Sequence, residues 1–441
     1  MANSYLNRTQ GSATNQKKGT FSFWIKRSKL GSNQRIVTNY NDVNNLSYLR
    51  FNSSDQLQHY VLSGGSAIGS IVSTRVFRDT SAWYHIVMAI DTTQATAADR
   101  IKFYVNGVQE TSFGTNTIPS QDADHPIFAA GTHYIGRHSN AADYFDGYIS
   151  HAAQVDGTAL TPTSFGLTDS TSGIWKFKSP SGITWGNNGF HLKFENSGAM
   201  GTDSSGNSNT FTVNGNLKQA LDTPSNVHAT WNPIWSQSSG NIGDVVFSNG
   251  NLTTTSSANY RTTPTTLGMK TGKYYWEIKR DEDDGADLHA GVMSENATPA
   301  NTATWIGNAA NGWIISGDGG NPYTGGTGGS AISNASFPNA GDIHMCAYDG
   351  STGKLYFGAN GTWGGTANPS TGANPHYTLD TSLVYFPCVS TGSDCSANFG
   401  NGFFGTTAIT SAGSNGNGSL FEYDVPSGFY ALNTKNINTY G

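Results

Sequence analysis

The sequence predicts an all-β protein, two antiparallel β-sandwiches in tandem. Three observations carry this. Apolar and polar residues alternate with period two from one end to the other, the signature of half-buried strands. Glycine fills 54 of 441 positions, about one in eight against a usual ~7%. Charged residues are only 12%, where ~25% is usual. The apolar content instead leans on 10 Trp, 20 Tyr and 22 Phe, side chains that suit a pleated surface, while Ser, Thr, Asn and Gly supply turns. At ~150 residues per domain, the length allows two or three domains.

Residues 21–26 (FSFWIK), 83–90 (WYHIVMAI) and 101–105 (IKFYV) are each bounded by turn residues and read as strands. Asn106-Gly107 follows directly and predicts a type I′ hairpin, which needs positive φ at both central positions. From about Leu217 to Gly240 the texture changes. Pro224 and Pro233 punctuate a polar stretch holding Trp231 and Trp235, which reads as a linker docked by its own aromatics. A second run of strands begins at 274 (YYWEIK) and continues through 343–348 (IHMCAY), 354–357 (KLYF) and 383–389 (LVYFPCV). The expected organisation is a first sandwich over residues 1–217, a linker over 218–240 and a second sandwich over 241–441, with helix confined to short turns. Cys388 and Cys395 flank residues 391–394, read as a hairpin turn that would set them across two strands. Free buried thiols are nevertheless expected, since small buried cysteines are common and proteins made in the cytosol stay reduced.

The formal net charge of −6 argues against nucleic-acid binding, which needs clustered Lys and Arg. No run of eighteen apolar residues exists and MANSYLNRTQ lacks the apolar centre of a secretion signal, so neither membrane insertion nor export by a signal peptide is expected.

The segments SYLNRT, FSFWIKRS, WYHIVMAID, IKFYVNGVQ, YIGR, YFDGYI and ALTPTSFG, in this order, resemble the concanavalin A-like jelly roll of the laminin-G type. HLKFENS and DSSGNSNTFTVNG (residues 191–215) resemble the opening strand and loop of that same fold, placed here after the other strands and expected to complete the sandwich. The resemblance makes Trp24, Trp83, Tyr104 and Ile149 core residues and Asp146-Gly147 a turn. GKYYWEIK, HAGVMS, GDIHMCAYDGSTGKLYFGANGTWG, VYFPCVS and ANFG resemble the SPRY domain, with Trp276 and Tyr356 between the sheets, Asp349-Gly350 turning a hairpin and residues 398–400 ending a core strand. The tandem, with its DTPSN junction and closing FEYDVPSGFYALNTKN, resembles virion proteins of marine bacteriophages, assigned to tail fibres or other host-contacting appendages. That implies a virion location, other virion proteins as partners and self-association, most simply as a trimer.

Concanavalin A-like folds include glucanases, whose catalytic strand carries Glu-x-Asp-x-x-Glu. The six glutamates here (Glu110, Glu195, Glu277, Glu282, Glu295, Glu422) do not form it. With no Gly-x-Ser-x-Gly elbow, His-Glu-x-x-His helix or phosphate loop either, a non-enzyme is expected. The run Asp281, Glu282, Asp283, Asp284 reads as a solvated loop. Laminin-G-like sandwiches sometimes carry calcium near the rim, which makes Asp203 and Asn207, and residues 281–287, candidate donors. Asp-Ser-Ser-Gly-Asn is equally an ordinary Asp-capped turn.

Binding is the expected activity. Sugar recognition needs an aromatic face for the C–H side of a ring and short polar side chains for its hydroxyls. Arg137, His138, Asn140, Asp143 and Tyr144 supply these types in one loop. In the second domain Trp305, Trp313, Asp318, Asn321 and Tyr323 lie among glycines, and Trp363, His376 and Tyr377 in another polar stretch. The partner is then a host envelope glycan or surface protein met during adsorption. The alternative is a capsid or tail decoration protein whose loops contact neighbouring subunits.

Overall fold

The computed structural model describes residues 3–238, 245–256, 261–283, 287–298 and 305–441. It divides into two compact units, residues 1–219 and 220–441. Both are built from antiparallel sheets packed face to face. Among the described residues, α-helix is limited to Pro233–Ser238 and Thr434–Tyr440.

In the first unit a six-stranded sheet centres on Lys18–Arg27, flanked by Gly147–Asp156 and Trp83–Asp91. The opposing sheet has eight strands, in the order Phe113–Thr117, Ser66–Val76, Gln56–Ser63, Asn45–Phe51, Gln34–Asp42, Gly131–Ile135, Tyr5–Gln10 and Thr212–Asn214. Alternation sends Phe21, Phe23 and Ile25 into the core between the sheets, where they meet Ile36, Leu49, Leu57 and Ile71. The other face of the six-stranded sheet is also covered. Residues Leu160, Phe165, Ile183 and Trp185 pack over Val87, Ala153 and Val155. Trp24 lies on this outer face, stacked on His85, which stacks on Trp175 in turn. It is buried, but beneath the covering segment and not between the sheets; Trp83 is buried too, while Tyr104 and Ile149 are half-buried.

Residues 190–214 close the sandwich with one strand for each sheet. Phe190–Leu192 pairs with Gly147–Asp156, and Thr212–Asn214 pairs with Tyr5–Gln10. Asn106 and Gly107 both have positive φ, 49° and 81°, in the tight hairpin between Ile101–Val105 and Val108–Glu110.

The second unit opposes a sheet built on Cys395–Asn398, Lys273–Arg280, Ile343–Asp349 and Lys354–Ala359 to one built on Tyr385–Thr391, Leu288–Ser294 and Gly312–Ser316. Trp276, Ile278, Leu355 and Phe357 from the first meet Leu288, Val292, Ile315 and Val389 from the second. Three expectations change here. Tyr356, between Leu355 and Phe357, necessarily points to the opposite face, where Tyr275, Met345, Phe421, Val425 and Phe429 surround it. Cys388 and Cys395 do not face each other across a hairpin, because residues 392–394 carry the chain from one sheet to the other. All three cysteines are free and buried, and burial raises their thiol pKa values, that of Cys395 to about 12. The stretch read as a linker belongs to the second unit from Ala220 onward. Trp231 is fully buried in its core and packs edge-on to Phe399 at 5.3 Å. Residues 239–244 lie outside the described residues.

Candidate functional site

The outer face of the eight-stranded sheet concentrates aromatic and cationic side chains. Register places Asn7, Tyr134, Thr38, Tyr48, Tyr60 and Ser70 in one row across six strands. Each follows from period-two alternation: the neighbours His133, Leu49 and His59 point into the core. Tyr48 and Tyr60 stack with centroids 5.3 Å apart and planes 22° from parallel. The Arg35 guanidinium lies 3.3 Å from the Tyr48 ring centre and that of Arg50 5.1 Å from it. Arg50 donates from Nε to Gln58 Oε1 at 2.8 Å.

The loop singled out in the sequence lies against one end of this face. It joins Gly131–Ile135 to Gly147–Asp156 and so crosses from one sheet to the other. Asp143 fixes it: its carboxylate is 3.1 Å from Arg35 Nε and 3.7 Å from Arg50 Nη1, and its carbonyl accepts from the Arg35 N–H. Ala141 and Asp143 both adopt left-handed conformations, φ 59° and 52°, a cost that persists only where surrounding contacts over-determine the backbone. His138 Nδ1 accepts from the Asn140 N–H, which puts a neutral ring's proton on Nε2. Burial lowers the His138 pKa and nearby Arg35 adds to that. Asn140 is exposed, whereas Tyr144 is half-buried with its ring 6.3 Å from that of Tyr5. The Arg137 guanidinium stacks 3.7 Å from the Tyr5 ring centre and 4.7 Å from that of Tyr134.

The five loop residues therefore differ in role. Asp143 holds a buried arginine and cannot be removed at little cost, Arg137 and Tyr144 join an aromatic cluster, and Asn140 is presented to solvent. Sequence reasoning missed Tyr5, Tyr48, Tyr60, Tyr134, Arg35 and Arg50. The signal present was Tyr and Arg at alternate positions, Tyr48 and Arg50, in LSYLRF, and Tyr with Arg again in THYIGR.

In the second unit the aromatics separate. Trp305 stacks on His289 at 4.8 Å and meets Tyr323 edge-on at 4.9 Å, on the outer side of the smaller sheet. Trp313 faces the core between the sheets, edge-on to Tyr385 at 5.6 Å. Asp318 is 2.6 Å from Arg280 Nη1, and Asn321 donates to the Gly329 carbonyl. Trp363 is edge-on to Tyr275 on the other sheet, while His376 stacks on Phe357 and Tyr377 packs against the core. These residues form no single surface.

The acidic stretch also divides. Asp281 accepts from Ser396 Oγ and lies 3.3 Å from Lys279 Nζ, whereas Asp287 accepts from Ser316 Oγ. Glu282 and Asp283 are exposed, and Asp284 lies outside the described residues. Glu277 is buried, and its carboxylate accepts from Tyr275 Oη, Asn398 Nδ2 and the N–H groups of Glu422 and Tyr423. Burial pushes its pKa up to about 7 against those four donors.

Asp203 acts as a turn-former. One carboxylate oxygen accepts from the N–H groups of His191 and Ser205, the other from Ser205 Oγ and the Asn209 N–H, all within 2.8–2.9 Å. Asn207 donates to the carbonyls of Gly186 and Gly189. No group of three or more His, Cys, Asp or Glu able to hold a metal occurs among the described residues. Asp203→Ala is expected to destabilise the first unit by ~2–4 kcal/mol, since three backbone N–H groups lose a charged acceptor. Millimolar calcium should leave the wild-type melting temperature unchanged; a rise that Asp203→Ala abolishes would return the residue to metal binding.

Residues 1–164 match a laminin G family model described as the concanavalin A-like lectin/glucanases superfamily. The first unit thus carries a concanavalin A-like domain, and the match ends before its two closing strands. A search of curated proteins returns no match. Solved structures similar to the chain include SPRY domains. That of human HERC1 is 19% identical with a TM-score of 0.28 and covers 35% of this chain and 91% of its own. The TRIM65 PSpry domain is 13% identical, with a TM-score of 0.27 and coverages of 38% and 91%. A human SPRY domain is 15% identical, with a TM-score of 0.27 and coverages of 35% and 94%.

Proposed function

We propose that the chain is a surface protein of a bacteriophage virion, a tail fibre or similar appendage, and that its first unit binds host envelope glycan during adsorption. The observation that carries this reading is the aromatic and cationic outer face of the eight-stranded sheet. Half-buried tyrosine rings offer flat apolar surface to the C–H side of a sugar, and the phenol hydroxyls of Tyr5, Tyr60 and Tyr134 have no protein partner among the described residues. Such hydroxyls suit hydrogen bonding to sugar hydroxyls. The lectin content of the matched superfamily supports the same reading, and so does the resemblance of the tandem to virion appendages. Function here is binding without catalysis. Single sugar sites are weak, so self-association and several copies per particle supply avidity of ~10²–10⁴.

The test is adsorption by particles carrying Tyr60→Ala with Asn140→Ala, residues that hold no buried charge. Adsorption to the host is expected to fall at least ~10-fold while the melting temperature moves by no more than a ~1 kcal/mol change implies. Unchanged adsorption, together with a regular array of the protein over the capsid in electron micrographs, would make it a decoration protein instead.

A further inference from the structure

We infer that Arg137 is the anion receptor of this face and that the glycan it takes is acidic, carrying a carboxylate or sulfate on the sugar. This rests on the glycan reading above and names the substrate class. Every other arginine of the first unit donates to a carboxylate, an amide oxygen or a backbone carbonyl, or, for Arg75, is ion-paired with Glu110. The Arg137 guanidinium alone among them has no hydrogen-bond or ion-pair partner among the described residues, and its Nε is buried without one. It is nonetheless held in place, because its guanidinium is stacked on Tyr5 and Tyr134.

Stacking fixes the plane of the fork and leaves its N–H edge without an acceptor. That is the arrangement needed to meet two oxygens of one anionic group side by side. The local charge agrees. Arg35, Arg50 and Arg137 share this end of the face with one carboxylate, Asp143, in a chain whose formal net charge is −6. Three guanidinium groups against Asp143 leave two positive charges in excess, and Asp143 engages Arg35 and Arg50 but not Arg137. A sugar ring lying on the tyrosine row with its acidic substituent turned to Arg137 would use both features together.

The full-length chain is titrated by calorimetry at low salt with hexagalacturonate, with the methyl ester of the same oligosaccharide, with dextran sulfate and with dextran. The acidic member of at least one pair is expected to bind at least about tenfold more tightly than its neutral counterpart. Which pair discriminates tells carboxylate from sulfate. Arg137→Gln should bring acidic and neutral probes level. Arg137→Lys, which keeps the charge but loses the fork, should restore only part of the difference, and melting curves of both variants report whether the fold is intact. If acidic and neutral probes bind equally and Tyr60→Ala weakens both, the glycan reading stands and the acidic assignment falls. If no probe binds, or if a folded Arg137→Gln variant still prefers the acidic probe, the assignment is overturned.

Discussion

Acidification from pH ~7 to pH ~4.5 is expected to unfold the first unit. It holds four almost completely buried histidines, three on the core side and His85 beneath the covering segment, and burial lowers the pKa of each: His59 to about 4, His85 and His133 to about 3, and His125 well below the ordinary value. Each is wired as a neutral ring. His59 Nδ1 is 2.8 Å from the Tyr48 carbonyl and its Nε2 is 3.1 Å from that of His125, whose Nδ1 accepts from the Ile127 N–H. His85 Nδ1 accepts the Trp175 indole N–H, which leaves its Nε2–H for Ser22. A second proton on any of these rings has no acceptor.

In the unfolded chain the same rings titrate near 6.5, so below that pH the unfolded state binds more protons and stability falls as pH falls. At ~1.4 kcal/mol per unit, each buried ring costs about 3 kcal/mol at pH ~4.5. Four together approach the whole stability of a domain, ~5–15 kcal/mol. Near-ultraviolet circular dichroism against pH, with hydrogen exchange to locate the change, measures this. An unmoved melting temperature down to pH ~4.5 would contradict it.

Glu277→Ala is expected to cost the second unit ~3–5 kcal/mol, because Tyr275 Oη, Asn398 Nδ2 and two backbone N–H groups lose their acceptor in a buried place. The last two belong to the segment whose Phe421, Val425 and Phe429 cover the outer face of the larger sheet. Hydrogen exchange should therefore rise first in residues 420–431. The wild-type carboxyl titrates near 7 when folded and near 4.5 when unfolded. Its contribution is thus greatest below pH ~4.5 and is lost as pH rises through ~7. The difference between wild type and Glu277→Gln should change by about 3 kcal/mol over that window. A variant as stable as wild type with unchanged exchange over 420–431 would refute this.

Much of the architecture was legible because strand alternation and turn chemistry are local. FSFWIK declares its two faces, and Asn106-Gly107 declares its turn. Alternation does not say whether the second face meets water or another layer. Tyr356, expected between the sheets, lies instead under a covering segment, and Trp24 is buried as expected but beneath one too. The cysteine hairpin failed for a related reason, since a short turn between two strands can as well lead to the opposite sheet. In the candidate site the loop was visible as a cluster of polar types. The tyrosine row was not, because Tyr48 and Tyr60 face each other only in the register of their hairpin, and Tyr134 joins them through Thr38 on a strand far from its own in sequence. Arg35 in a strand reads as a solvated charge until Tyr48 and Asp143 are placed beside it.

The closing strand of the first unit also has a mechanical consequence. Tyr5 lies opposite Asn214, so the polypeptide enters and leaves this sandwich side by side at one sheet edge. A pull on the two ends loads the hydrogen bonds between these antiparallel strands one after another, as a zipper opens, and not all at once in shear. Only three residue pairs join them. Under tension this edge peels first, lengthening the unit at low force while the tyrosine face and the core behind it stay assembled.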